Sequence, residues 1–371
     1  MRTAIVVGAG IGGAAAALGL ERSGWQVTVL ERAPELGEVG AGISVWPSAV
    51  AALAELGVTE VQQAVALVGP AGMRRPDGGW VVEATALGME APVMIHRARL
   101  HALITERFGP EVAIRTGVTV TGVSQNPAGA EVVAGDEVFR ADLVVAADGL
   151  RSVVRQTLHP QYAGPRYSGY TAYRGIADVE LTDGGGETWG RGRRFGFARL
   201  IDGRFYWYAT ANRPAAQVVA DPHADVLEAF GSWHEPIPAL LAGTPPESVL
   251  QNDIYDLTLP LVPFVSGRVA LLGDAAHAMT PNLGRGACTA LEDAATLARH
   301  LKSPDWAAAL AAYDAERRPA ATKLVRASRG IGWVGQLDHQ VACAVRDGML
   351  AVGGKLAGVT ARRRRVGQSR T

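Results

Sequence analysis

Between Gly8 and Gly13 the chain places four glycines, in Gly8-Ala9-Gly10-Ile11-Gly12-Gly13. They follow the β-branched run Ile5 to Val7 and precede an alanine-rich stretch ending near Arg22. A continuous α-helix through this segment would lose on the order of 1 kcal/mol at each glycine relative to alanine. A membrane or signal helix over Ala4 to Leu20 is therefore a poor reading, and no A-x-A cleavage site follows it. A strand, a tight turn and a helix fit better, with Gln26 to Leu30 as the next strand. In that context G-x-G-x-x-G at Gly8, Gly10 and Gly13 is a dinucleotide-binding fingerprint. Gly8 permits the turn, Gly10 lets the backbone approach a pyrophosphate, and Gly13 lets the helix pack on the strand. The helix N-terminus offers N–H groups to the phosphates, and Glu31, at the end of the second strand, is placed to accept from a ribose. No second fingerprint occurs, because Gly190-Arg191-Gly192-Arg193-Arg194-Phe195 ends in Phe.

Composition narrows the class. With 371 residues, 48% hydrophobic and 19% charged, and 36 Lys+Arg against 36 Asp+Glu, the chain is neither disordered nor a basic nucleic-acid binder. Two domains of about 150 residues are expected. Cys288 and Cys343 lie far apart, with no CxxC or Cys/His cluster, so neither a disulfide framework nor a metal site is expected, and a cytoplasmic location is. The charge run Arg362 to Arg365 reads as a solvated tail.

Residues 1–165 read mostly as α/β, with helices from Pro47 and over Arg97 to Phe108. From 166 to 261 the pattern turns to strands: Tyr170 to Val179, Arg194 to Ile201 and Arg204 to Thr210. Asp202-Gly203 between the last two signals a hairpin. From 262 to 335 the α/β style returns, with a strand over Arg268 to Leu272 and a helix over Gly284 to Leu301. The expected fold class is thus α/β: a discontinuous Rossmann-type domain from 1–165 and 262–335, an inserted β-sheet domain from 166–261, and a C-terminal helix with a basic tail from 336–371.

Two further segments carry a resemblance. Asp148-Gly149-Leu150-Arg151-Ser152-Val153-Val154-Arg155 is similar to a DGxxSxVR stretch. Gly273-Asp274-Ala275-Ala276-His277, running through Pro281 to Gly284-Arg285-Gly286, is similar to GDAAHxxxPxxGQG. With the N-terminal fingerprint, these resemble, in order, the signatures of single-component FAD-dependent aromatic hydroxylases. Gly42-Ile43-Ser44-Val45-Trp46-Pro47 and Tyr167-Ser168-Gly169-Tyr170 resemble the urate-hydroxylase, salicylate-hydroxylase and zeaxanthin-epoxidase-like members.

The resemblance implies bound FAD, reduction by NADPH or NADH, reaction with O2 to a flavin C4a-hydroperoxide, and hydroxylation of a small aromatic or heteroaromatic substrate. The alternatives are flavin-dependent epoxidation, double-bond reduction and flavin binding without catalysis. The protein would be a monomer or homodimer, with no nucleic-acid partner and no transmembrane segment. Cofactor contacts are implied for Gly8, Gly10, Gly12, Gly13, Glu31, Arg32, Ser44, Arg97, Val118, Asp148, Asp274, Gly284, Gly286 and Ala287. Arg194 and Tyr206 match positions that face flavin and substrate in the urate-hydroxylase-like members, under a roof formed by the strand-rich block. Arg can hold an anionic or carbonyl-bearing ring, and Tyr can hydrogen-bond to it.

Hairpin register tests that assignment. A two-residue turn at Asp202-Gly203 puts Arg194 and Tyr206 on opposite sheet faces, whereas a three-residue loop, Ile201-Asp202-Gly203, puts them on one. On the first register Arg194 is a solvated strand residue. Two departures from the family pattern stand out: Arg285 replaces the usual Gln, and Asn282 stands where urate-hydroxylase-like members carry an Asp that assists deprotonation. An amide cannot be that base. His277 and His96 read as structural or cofactor-adjacent.

Overall fold

A computed structural model describes residues 2–37, 42–63, 72–83, 92–182 and 184–368, with side chains as far as Gly354. The chain divides into two units, Met1–Ala64, His96–Ser168 and Tyr255–Arg329 forming the first and Val65–Ile95, Gly169–Ile254 and Gly330–Thr371 the second.

The first unit is built on a six-stranded sheet. In spatial order its strands are Val265–Ser266, Val269–Leu271, Leu143–Ala146, Arg2–Val7, Trp25–Leu30 and Val112–Arg115. All pair in parallel except the short first one. Strand residues such as Val6, Val27 and Val144 are fully buried, as a sheet covered on both faces requires. The helix Ile11–Arg22 is almost wholly alanine, glycine and leucine. Small side chains let it lie close to its neighbours: a Cβ added at Gly19 would sit 2.7 Å from the Cβ of Ala298 on the helix Gly286–His300.

The second unit carries a seven-stranded sheet in the order Leu250–Leu257, Pro165–Ala177, Phe205–Asn212, Arg193–Arg199, Gly185–Trp189, Gly72–Arg74 and Trp80–Glu83. Residues 72–83, which the sequence reading grouped with the first domain, therefore add two strands to this sheet. One sheet face presents Tyr173, Phe195, Phe197, Phe205 and Trp207 to the helices Pro222–Phe230 and Ile237–Ala242. Phe195 stacks on Trp207 with ring centroids 5.4 Å apart, and burying each such ring contributes about 1.5–3 kcal/mol.

Register in this sheet is decided at the hairpin. Leu200 N–H donates to Arg204 O at 2.8 Å, and Gly203 is left-handed at φ +92°, so the loop has three residues. Arg194 consequently pairs with Thr210 and Ala198 with Tyr206. Arg194, Gly196, Ala198, Tyr206, Tyr208 and Thr210 all point away from the aromatic core.

The C-terminal part is helical, as the sequence reading expects, and its helices are long. One helix spans Trp306–Gly335 with Pro319 inside it, and a second spans Gln340–Gln368. Among the described residues no helix is long and apolar enough to cross a membrane.

Candidate active site

The glycine-rich turn is closed by its own backbone. Gly8 has φ +95°, and a Cβ there would lie 2.5 Å from Ala147 O; a Cβ on Gly13 would lie 1.9 Å from Gly8 O. Both positions therefore demand glycine. Gly12 would meet Leu272 at 2.9 Å. The following helix is N-capped by Gly10 with no side-chain cap, and the positive end of its dipole favours an anion at this turn.

Glu31 braces this turn, accepting from Ala9 N–H at 2.7 Å and from Ala33 N–H at 2.8 Å. A carboxylate has about four lone-pair sites, so two remain for ribose hydroxyls. Val118 lies beside it, its N–H donating to Glu31 O, and Arg32 is exposed just beyond the strand end. On the other side of the turn His101 Nε2 meets Ala9 O at 2.7 Å. His101 was not among the sequence candidates.

At the carboxyl ends of the central strands, Asp148 accepts from Val154 N–H at 3.2 Å through Oδ2, while its buried Oδ1 has no partner among the described residues. Burial pushes this carboxyl above the ordinary range. Ser152 caps the helix Val153–Leu158 by accepting from Arg155 N–H. The Arg155 guanidinium donates to Ala275 O at 2.7 Å and to Leu150 O at 2.6 Å, tying the segment after Asp148 to the turn that holds Asp274. Asp274 itself is exposed at the start of the short helix Asp274–His277.

Behind that turn a buried network sets the geometry. His277 Nε2 meets Asp293 Oδ2, Arg317 Nε donates to Asp293 Oδ1 at 2.6 Å, and Gly273 N–H donates to Asp293 Oδ2 at 3.2 Å. Burial works to raise the Asp293 carboxyl, but His277 and Arg317 outweigh it and hold the carboxyl below its ordinary range. His277 is wholly buried here, and His96 caps the helix Arg97–Thr105 by accepting from Ala98 N–H. Both histidines thus do structural work in this unit.

Gly284 is left-handed at φ +60°, and a Cβ there would lie 2.6 Å from Ser44 Oγ. The helix Gly286–His300 then begins at Arg285 with no side-chain cap, so Gly286 and Ala287 present open N–H groups. Arg285 reaches along its helix to Glu292 at 2.7 Å, and Arg317 contacts the same carboxylate at 3.1 Å. Arg97 is exposed at the first position of its own helix. Asn282 donates to Thr280 Oγ1 at 2.8 Å and to Ser328 O at 2.9 Å, so its amide is engaged in holding the backbone.

In the second unit Arg194 is 2% exposed, which overturns the solvated reading. Its Nε donates to Gln336 Oε1 at 2.9 Å, its NH1 stands 3.4 Å from Glu187 Oε1, and it lies 5.8 Å from the rings of Tyr170 and Trp189. Tyr206 shares its sheet face and is tilted against Tyr208, ring centroids 6.2 Å apart. Glu187, Tyr208 and Gln336 were not singled out in the sequence. Once the three-residue loop is taken, cross-strand pairing puts Tyr208 opposite Gly196 on the Arg194 face; the partner register that brings in Glu187 left no mark in the sequence.

The first unit thus offers a glycine cradle, two uncapped helix starts, a ribose-facing carboxylate and an orphaned buried acceptor at Asp148. This donor and acceptor set fits FAD. A family profile described as an FAD binding domain matches residues 1–184 and 253–328. The chain belongs to this FAD-binding family.

Its relatives are monooxygenases. The chain is 40% identical over 360 residues to aurachin C monooxygenase/isomerase of Stigmatella aurantiaca, covering 94% of this chain and 93% of the relative. It is 33% identical over 346 residues to the FAD-dependent urate hydroxylase of Klebsiella pneumoniae, covering 88% of each. The fold is similar to that of Klebsiella pneumoniae HpxO complexed with FAD and uric acid, with TM-score 0.85, 30% identity and coverage of 96% of this chain and 95% of that one. The protein is an FAD-dependent flavoprotein monooxygenase of the aromatic hydroxylase class. Dependence on NADH or NADPH is typical of this flavoprotein family.

Proposed function

We propose that this monooxygenase hydroxylates an electron-rich aromatic or heteroaromatic ring that Arg194 and Tyr206 hold. The observation that carries the reading is the hairpin register, which places both side chains on the sheet face turned away from the aromatic core. When bound, FAD supplies transfer of one oxygen atom from O2, with NADH or NADPH as reductant.

In this reading the parallel-sheet unit binds the cofactor and the seven-stranded unit binds substrate. Gly8, Gly10, Gly12 and Gly13 hold the pyrophosphate at the helix start, and Glu31, Arg32 and Val118 surround the ribose. Asp148 and Asp274 accept from cofactor hydroxyls. Gly284, Gly286 and Ala287, with Ser44, bring the N-terminal dipole of a 15-residue helix to the ring that becomes negatively charged on reduction. Arg97 is a further cofactor contact.

Relatives act on aurachin C, on urate and on 3-amino-4-hydroxybenzoate. The engaged amide of Asn282 argues against urate for this chain, because the acidic group proposed to assist deprotonation there is missing. The two cysteines are buried free thiols, which supports a cytoplasmic location. Monomeric and homodimeric states both accord with the reading.

The test is O2 uptake and NAD(P)H oxidation by the FAD-loaded protein with phenols, aryl carboxylates, purines and polyenes. Oxygenated product formed in step with NAD(P)H from an aromatic compound is the expected result. Bound FAD that oxidises no NAD(P)H with any of them removes the proposal.

A further inference from the structure

The sheet face that carries Arg194 and Tyr206 also carries a carboxylate and a phenol with no role so far. Register places Glu187 opposite Gly196, and Gly196 opposite Tyr208. Gly196 has no side chain, and a Cβ there would lie 2.5 Å from the Tyr208 hydroxyl. The phenol therefore lies across the middle strand, on the side where Glu187 stands opposite Gly196. On its other side the Glu187 carboxylate faces Arg194 at 3.4 Å. One carboxylate thus stands between a guanidinium and a phenol carried by two different strands.

This pair sits between the two proposed substrate-holding residues. The cross-strand row of Arg194 and Thr210 flanks it on one side, and the row of Ala198 and Tyr206 on the other. The opposite face of the same strands is closed, with Phe195, Phe205 and Trp207 at 0% exposure. Glu187 keeps 26% of its side-chain surface accessible, and Tyr208 is half-buried. The Glu187 carboxylate is therefore both anchored and reachable.

We propose that Glu187 is the proton acceptor of the hydroxylation, taking the proton of a substrate ring hydroxyl through the Tyr208 hydroxyl. The substrate O–H bond breaks, its proton passes to Tyr208 Oη, and the proton that Tyr208 held passes to a Glu187 carboxylate oxygen. The electron pair stays on the substrate oxygen and enriches the ring for electrophilic oxygen. No electrons leave or enter the protein in this step. The inference rests on the aromatic hydroxylase reading and on substrate being held beside Arg194 and Tyr206. It supplies the base that Asn282 cannot be, and it selects rings bearing an acidic hydroxyl.

Other groups around the pair suit the role. Burial pushes the Tyr208 hydroxyl well above its ordinary range, so it relays a proton without having to ionise. Among the described residues, Arg194 on the middle strand and Arg174 opposite Tyr208 share this face, while Arg346 of the C-terminal helix, 5.4 Å from the Trp189 ring, is paired with Asp347 at 2.8 Å. Arg194 and Arg174 favour a negative charge remaining on a bound ring.

The experiment uses the FAD-loaded protein and 4-nitrophenol, whose phenolate has its own visible absorption band, at a pH below the phenol's own pKa. Wild type is expected to develop the phenolate band on mixing. Glu187→Gln should weaken it about tenfold, the equivalent of one pKa unit. Tyr208→Phe should weaken it as well, and Glu187→Asp should restore part of it. Should Glu187→Gln fail to retain FAD, Tyr208→Phe carries the test. An unchanged band in the variants, or no band in wild type, overturns the relay. The two readings fail separately: no oxygenated product from any ring sinks the hydroxylase, whereas a product-forming wild type whose Glu187→Gln variant keeps the band sinks only the relay.

Discussion

Arg317 Nε donates to Asp293 Oδ1 at 2.6 Å, and the other oxygen of that carboxylate holds Gly273 N–H and His277. A single buried carboxylate therefore fixes the turn that presents Asp274. Asp293→Asn should destabilise the fold by about 3–5 kcal/mol, because it breaks a buried ion pair and leaves Arg317 with Glu292 as its one remaining carboxylate among the described residues. Thermal unfolding of the variant checks this.

The same carboxylate gives a pH prediction. Its folded pKa lies below the ordinary value of 3.8, so its contribution is complete above that value and is lost as pH falls through the folded pKa. Asp148 has the opposite sign. Its carboxyl is raised by burial, so it disfavours the folded apoprotein as pH rises above 3.8 towards its folded pKa. Asp148→Asn should raise the melting temperature of the apoprotein at neutral pH while weakening FAD binding. Melting curves with and without FAD, at several pH values, separate the two effects, and a variant less stable in both states would contradict the assignment.

Gly13→Ala should abolish FAD retention. The added Cβ would lie 1.9 Å from Gly8 O, too close for any side-chain adjustment to relieve, so the turn itself must move. The flavin absorbance of the purified variant, against wild type, reads the outcome.

Arg194→Gln and Tyr206→Phe should each lower kcat/KM by about 10- to 100-fold, the range expected for losing a charge-assisted or neutral hydrogen bond to a bound ring. FAD content should be unaffected. Arg194→Gln should also cost stability, since it strips Glu187 and Gln336 of a buried partner. Steady-state kinetics with a flavin titration would expose a purely structural Arg194 through unchanged KM and kcat.

The parts of the protein legible in the sequence are those where the backbone itself demands a residue type. Gly8, Gly13 and Gly284 occupy left-handed or sterically closed positions, and such demands read locally. The hairpin at Asp202-Gly203 was legible as a hairpin, but both loop lengths suited the pattern. Only the Leu200 to Arg204 pairing decides between them. Long-range partnerships left no mark. Asp293 is 24 residues from Arg317 with no shared pattern, and Gly72–Arg74 joins a sheet whose neighbouring strand starts at Gly185. Gly196 reads in a strand only as a weak position, and its meaning appears when Tyr208 is seen lying across it.

Arg285 adds a cation at the start of a helix yet adds little field there. Its guanidinium is turned along the helix to Glu292, and that carboxylate is shared with Arg317, itself matched by Asp293. Two positive and two negative groups close on one another. The field at the helix start is thereby left largely to the peptide dipoles, which do not titrate.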